Sequence, residues 1–240
     1  MEKLLKTAAI EKDSHIEYFN IAVSVDCVIF GYEEKKLKVL LIKSDLKEFE
    51  SMWSLLGDLV RPNENLDDAP YRVLKKRTGL EDVYLEQVET FGSIDRHPSG
   101  RVITIAYYSL VDIKTHPFDF GNNELHWQNV SDIRKMAFDH KLILDTCIRE
   151  LRQKVMELPV VFNLLPPKFS LRELQDLYEA ILGVELDRRN FRKRILLKDW
   201  LVDINEMEED VGHRPGKLYK LRQSLKRSRK KLLVGSPLEN

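Results

Sequence analysis

The chain has 240 residues, 43% apolar and 32% charged, with 39 Lys+Arg against 39 Asp+Glu. That suits one large domain or two modest ones around a packed core. It contains no apolar run of the roughly 18 residues that a membrane span needs, and its two cysteines, Cys27 and Cys147, are too few for a disulfide framework or a zinc site.

The first 19 residues, MEKLLKTAAIEKDSHIEYF, are interspersed with acidic groups and lack the apolar centre of a signal peptide. A cytoplasmic location is therefore expected. Residues 20–32 are rich in Val and Ile and predict a strand, 33–36 a polar turn, and 37–43 the returning strand. Cys27 lies in an apolar run and reads as a small core residue. Asp26 interrupts the same run, and a carboxylate there needs partners: ligand hydroxyls, a backbone group or an arginine. Residues 65–77 predict a helix, with Asn65 and Asp68 as N-terminal caps and Gly79 as its stop. Residues 84–94 and 101–112 predict a second hairpin. This α+β unit is expected to end near residue 137.

Residues 139–157 predict a helix in which Leu142, Leu144, Cys147, Ile148, Leu151 and Val155 recur at helical spacing. It reads as a connector, 138–157, between two halves. The prolines at 166–167 mark a break. Ser170 and Glu173 then form a capping-box pattern, Leu171, Leu174, Leu177, Ile181 and Leu182 mark an apolar face, and Gly183 closes the helix. A second helix is expected from Asp187, followed by two strands around a polar loop. Residues 158–222 are therefore expected to be a second domain, and 223–240 a basic tail. From residue 158 onward the chain carries 17 Lys+Arg against 12 Asp+Glu, whereas the preceding residues carry 22 against 27. The asymmetry puts an anionic partner on the C-terminal half.

Residues 53–80, WSLLGDLVRPNENLDDAPYRVLKKRTGL, resemble the Nudix box, a loop–helix–loop whose glutamates hold magnesium against a pyrophosphate. Glu64, Arg72, Leu74, Gly79 and Leu80 match the pattern. Asp58 stands at its first glycine, Val73 at the glutamate after the arginine, and Lys76 and Arg77 at the paired glutamates. Magnesium requires hard oxygen ligands. Valine cannot ligate, two cations repel the ion, and Glu64 alone is not a catalytic metal site. No catalytic residue, metal or cofactor is therefore assigned.

The C-terminal run LPPKFSLRELQDLYEAILG, then LDRRNFRKRILL, then GHRPGKLYKL, is similar to the winged helix of the Nudix-related transcriptional regulators. With the box, the resemblance covers nearly the whole chain. It implies an α/β/α Nudix-like sandwich followed by a winged helix-turn-helix that binds double-stranded operator DNA, commonly as a homodimer. In such a motif the second helix enters the major groove. At 100° per residue Phe191 and Ile195 face one way and Arg189 and Lys193 the other, with Asn190 and Arg192 flanking the polar side. Arg188, Arg189, Asn190, Arg192 and Lys193 are the candidate base and groove contacts. His213, Arg214, Lys217 and Lys220 are the candidate wing contacts.

The resemblance is nearest to the sugar-responsive branch of Bacteroidetes type, through NIAVSVDCVIFGYEEKKLKVLLIK and the degraded box. It implies a repressor of sugar catabolism released by a pentose, arabinose before xylose. Asp26, Trp53, Arg61, Asp95, Arg96 and Arg101 are the candidate effector contacts, with the core as the alternative for Trp53. Three other readings stand beside this one: an ADP-ribose-responsive regulator of NAD metabolism, a divergent Nudix hydrolase, and a module whose winged helix binds protein.

Overall fold

A computed structural model of the chain describes residues 21–44, 46–81, 83–114, 125–209, 212 and 214–225. Strands β1 (Ala22–Glu33) and β2 (Lys36–Lys43) form the predicted hairpin. Its two-residue turn holds Glu34 and Lys35 at φ 51° and 60°. Two left-handed residues match the twist of the flanking strands, although glycine or asparagine is the usual occupant. β3 (Trp53–Ser54) and β4 (Leu56–Leu59) follow, then helix α1 (Ala69–Thr78), β5 (Leu85–Phe91), β6 (Val102–Val111) and β7 (Leu125–Asn129). The sheet runs β3-β2-β1-β6-β5, with β4 beside β1 and β7 beside β2. β1 and β6 pair in parallel from Ala22↔Val102 to Gly31↔Val111, and the other pairings are antiparallel.

Side chains alternate across the sheet, as strand geometry demands. Val25, Cys27, Ile29, Ile105 and Tyr107 face α1, where they meet Val73 and Leu74. Val28, Phe30, Val39, Leu41, Ala106 and Tyr108 face the other way. There they meet helix α2 (His140–Val155), giving the expected α/β/α sandwich.

The box helix begins at Ala69, not at 65. Pro70 sits in its first turn, where the missing N–H has no intrahelical partner to lose. Asn65 does not cap the backbone; its side-chain amide donates to Asp68. Gly79, at φ 73°, ends the helix as predicted. Leu142 of α2 is 56% exposed and does not belong to its buried face.

After α2, a 3₁₀ turn (Pro159–Leu164) leads into β8 (Phe169–Ser170), α3 (Leu171–Leu182), α4 (Arg188–Leu197), β9 (Leu201–Met207) and β10 (Lys217–Leu221). The order β8-β10-β9 with two helices is a winged helix. The capping box at Ser170 is complete, with Glu173 N–H donating to Ser170 and Ser170 N–H donating to Glu173. Gly183 ends α3 at φ 73°, and a Cβ there would also lie 3.3 Å from the Arg152 guanidinium.

The two halves share one apolar cluster. Ile148, Leu151 and Val155 of α2 belong to it together with sheet residues and with Phe162, Leu174, Leu177 and Phe191 of the C-terminal half. Polar ties reinforce it: Arg152 donates to the Ile181 carbonyl at 2.8 Å, and Lys35 pairs with Asp176 at 3.0 Å. A cavity at the centre of that cluster has no reason to weaken only one half. Leu151→Ala is expected to cost about 2–5 kcal/mol and to move a single cooperative urea transition to lower denaturant. Two separate transitions in either protein would contradict a shared core.

Candidate functional site: effector cleft and DNA interface

A cleft of about 300 Å³ opens around Asp26 of β1 and His140 of α2. That is the low end for a small-molecule site. β1 supplies Asp26, β2 Lys43, α1 Arg77, the 92–101 loop Arg96 and His97, and the start of α2 His140. Asp26 is 5% exposed. Its Oδ2 accepts from Thr104 at 2.8 Å and lies 3.6 Å from Arg96, while Oδ1 lies 3.5 Å from His140 Nε2. Gly57 lets β4 approach this carboxylate, because a Cβ would sit 2.4 Å from Asp26 Oδ1. Arg96 is also buried and makes a two-pronged bond to Asp139 at 2.9 and 2.8 Å. His140 Nδ1 accepts from the Leu55 N–H at 3.0 Å. That backbone donor fixes the tautomer, leaving the ring proton on Nε2, toward Asp26. Burial lowers the His140 pKa from its ordinary 6.5. At the mouth, His97 and Phe138 stack with centroids 5.1 Å apart.

Of the residues expected at an effector site, Asp26 and Arg96 line this cleft and contact each other. Four do not line it. Trp53 packs against the core, stacked on His126, with Lys43 4.0 Å from its ring centre. Arg61 and Asp95 are exposed, and Arg101 donates to the Gly92 carbonyl. These four lie apart from the cleft because loop membership does not fix side-chain direction. Sequence reasoning missed Lys43, Thr104, Asp139 and His140, which carry no local motif. Arg77 was in view, but only as a cation that expels a metal.

The box itself is bound up in protein contacts. Arg72 Nε donates to Glu64 Oε1 at 2.5 Å, and Nη2 donates to Glu64 Oε2 at 2.9 Å and to the Leu59 carbonyl at 2.8 Å. Nη1 reaches Asp58 at 2.9 Å, and the Arg61 N–H donates to Glu64 as well. Both Glu64 oxygens are therefore occupied. Val73 is 1% exposed and packs in the core below α1. Among the described residues no three His, Cys, Asp or Glu side chains come together as metal ligands. These residues do not fit the magnesium ions of a Nudix hydrolase.

In the winged helix, Asp187 caps α4 by accepting from the Asn190 N–H at 2.8 Å. Phe191 and Ile195 are buried, and Arg188, Arg189, Asn190 and Lys193 are exposed. The flanks differ from the expectation. Arg188 and Arg192 line a cleft with the wing residues Arg214 and Lys217, whereas Asn190 lines a hollow on the opposite side of α4. Lys217 pairs with Asp203 at 2.7 Å, and Lys220 is partly buried in β10. His213 and most of the basic tail lie outside the described residues. No helix of the described residues is long and apolar enough to cross a membrane.

Two titrations test the cleft and the box. Nitrogen-15 NMR should find the neutral His140 ring protonated on Nε2 and its titration displaced below the ordinary 6.5, the direction that burial imposes; a titration raised above 6.5 would contradict its burial. The hydrogen bonds from Arg72 hold Glu64 at about 2, below its ordinary 4.5. A depressed carboxyl stabilises the fold fully above the unfolded value and loses that contribution as the pH falls through the folded one. The stability gap between the native protein and Glu64→Gln should therefore shrink from pH 4.5 toward 2. A pH-independent gap would show that the ion pair contributes nothing.

Residues 20–151 match the NUDIX domain, and residues 161–221 match the NrtR DNA-binding winged helix domain. The chain is 32% identical over 209 residues to the ADPR responsive transcriptional repressor NtrR of Acinetobacter baylyi, spanning 85% of this chain and 83% of that protein. It is 30% identical over 150 residues to an ADP-ribose pyrophosphatase of Methanocaldococcus jannaschii, spanning 62% of this chain and 84% of that one. Among solved structures, Shewanella oneidensis NrtR complexed with a 27mer DNA superimposes with a TM-score of 0.74 at 28% identity, over 85% of this chain and 94% of that one. The expected likeness to sugar-responsive regulators is not supported, since both named protein relatives are named for ADP-ribose. The chain belongs to the NrtR family of Nudix-related transcriptional regulators, and is a DNA-binding repressor with a Nudix effector domain.

Proposed function

We propose that this repressor holds its operator as a homodimer and releases it when ADP-ribose enters the Nudix cleft, without hydrolysing the ligand. The observation that carries this reading is Arg77. It stands where the box has a metal-holding glutamate, and it lines the cleft together with Lys43 and Arg96. A diphosphate requires positive charge across its oxygens. In the hydrolases a divalent ion supplies it; here side-chain cations line the cleft instead. Guanidinium groups suit this work because their planar donors match phosphate oxygens two at a time. Charge alone does not generate a nucleophile, so such a site binds without turning over. Asp26, with His140 and Thr104 beside it, is suited to ribose hydroxyls. The Acinetobacter relative, named as ADPR responsive, supports the same ligand.

The route to DNA starts in the cleft. Asp139 and His140, at the start of α2, contact Arg96 and Asp26 respectively, while Arg152 near its other end holds the last turn of α3. A ligand that draws Arg96 away from Asp139 would favour a different seating of α2, and with it a different spacing of two recognition helices in a dimer. In this reading Arg189, Asn190 and Lys193 face base edges. A symmetric dimer suits a palindromic site.

A retained hydrolase is the second reading, favoured by the likeness to the Methanocaldococcus pyrophosphatase. Calorimetry of the full chain with ADP-ribose in EDTA separates the two. Binding without metal is expected, with Arg77→Glu weakening it at least ~10-fold, as for loss of a charge-assisted phosphate contact. ADP-ribose should lower affinity for a duplex selected by the protein from a random library by about 5–150-fold. Metal-dependent release of AMP that disappears in Glu64→Gln would overturn the sensor reading.

A further inference from the structure

The wing cleft of the reader head is lined by Arg172, Arg188, Arg192, Arg214 and Lys217, drawn from α3, α4 and the wing. It encloses about 360 Å³. One carboxylate, Glu208, lines it as well, and its Oε2 accepts from the Gly216 N–H at 2.8 Å. Lys217 shares its charge with Asp203. Arg214 is also engaged within the protein, so the charge left to offset is that of Arg172, Arg188 and Arg192, which repel one another unless an anion joins them. A second observation points the same way. The Arg192 Nε is buried and has no hydrogen-bond partner. A buried donor on a charged group without a partner is costly, and native structures rarely leave one unmet.

We propose that this cleft is a phosphodiester clamp, and that α4 divides its basic residues between two tasks. Arg188 and Arg192 are one turn apart and beside the buried Phe191–Ile195 stripe, on the side that faces the wing. With Arg172 and Arg214 they grip a backbone phosphate of the duplex. Arg189 and Lys193 lie about 100° further round and point away from the core. They, with Asn190, are left to read bases. Arg172 gains a DNA role that neither its position in α3 nor its charge alone would give it. The clamp rests on the DNA-binding reading of the winged helix. A double-stranded backbone is favoured over an acidic protein because the cleft adjoins the exposed, donor-rich face of α4 and takes a compact tetrahedral anion from three sides.

The test uses the full chain and two probes, a mixed-sequence 30-base-pair duplex and a randomised duplex library. For Arg192→Gln, binding to the mixed-sequence duplex should weaken and the slope of log affinity against log salt should become shallower by about 0.9, the value for one phosphate. Arg172→Gln with Arg192→Gln should weaken binding further, while the slope falls by no more than about 0.9 in all, because both residues grip the same phosphate. Arg192→Lys keeps the charge and should keep the slope, which guards against a folding artefact. Sequences selected from the library by Arg192→Gln should match those of the native protein, whereas Arg189→Ala should change them. An altered consensus for Arg192→Gln, or an unchanged salt slope in the double variant, would overturn the clamp while leaving DNA binding intact. Failure of the native protein to bind either probe would remove the DNA reading itself, and the clamp with it.

Discussion

Helix α2 has to pack against two halves at once. Its Leu144, Cys147, Ile148, Leu151 and Val155 lie in one cluster with residues of both the Nudix sheet and the winged helix. A helix whose buried face is shared with both halves cannot serve as a flexible tether, because separating either half would return buried apolar surface to water. The polar ties at its ends follow from that placement. His140 and Asp139 reach the effector cleft, and Arg152 caps the last turn of α3, where a cation meets the negative end of the helix. Sensing and reading are joined by a rigid element, not by a linker.

The degraded Nudix box is explained by what each of its residues still does. Glu64 and Arg72 persist as an interlocked pair that pins the 58–64 loop to α1, and Gly79 persists because the chain turns there in a left-handed conformation. These are structural tasks, independent of any metal. The departures fall where the box pattern has its metal-holding glutamates. Val73 now packs in the core, and Arg77 now lines the cleft. The replacement is a reversal of charge and not a simple loss. A neutral loss would have suited a neutral ligand; a reversal suits an anionic one. The pentose expectation treated the two alike, and the relatives named for ADP-ribose do not support it.

The buried network of Asp26, Arg96, Asp139 and His140 is costly to assemble, since each charge gives up water for fixed partners. Its bonds are nearly saturated: Thr104 serves Asp26, Asp139 serves Arg96, and the Leu55 backbone serves His140. A ligand entering here exchanges partners with existing groups instead of filling an unmet need. Two of the four groups belong to the first turn or the cap of α2, so an exchange of partners here would act on that helix.

The sequence by itself determined the parts whose signal is local. The β1–β2 hairpin, the complete capping box at Ser170, the glycine stops at 79 and 183 and the apolar stripe of Phe191 and Ile195 all depend on residues a few positions apart, and all were legible. So was the pairing of a Nudix unit with a winged helix, because two ordered motifs in one chain rarely coincide by chance. Tertiary structure alone decided the rest. β4 and β7 are short and weakly apolar, and they are strands because β1 and β2 offer them backbone partners. Thr104, Asp139 and His140 join Asp26 and Arg96 only after distant segments pack together. Trp53, Arg61, Asp95 and Arg101 stay away from the cleft because side-chain direction is set by the surrounding fold. A residue's type can be read one position at a time, but a site is a meeting of residues from six segments, and only packing brings them within a few ångströms of one another.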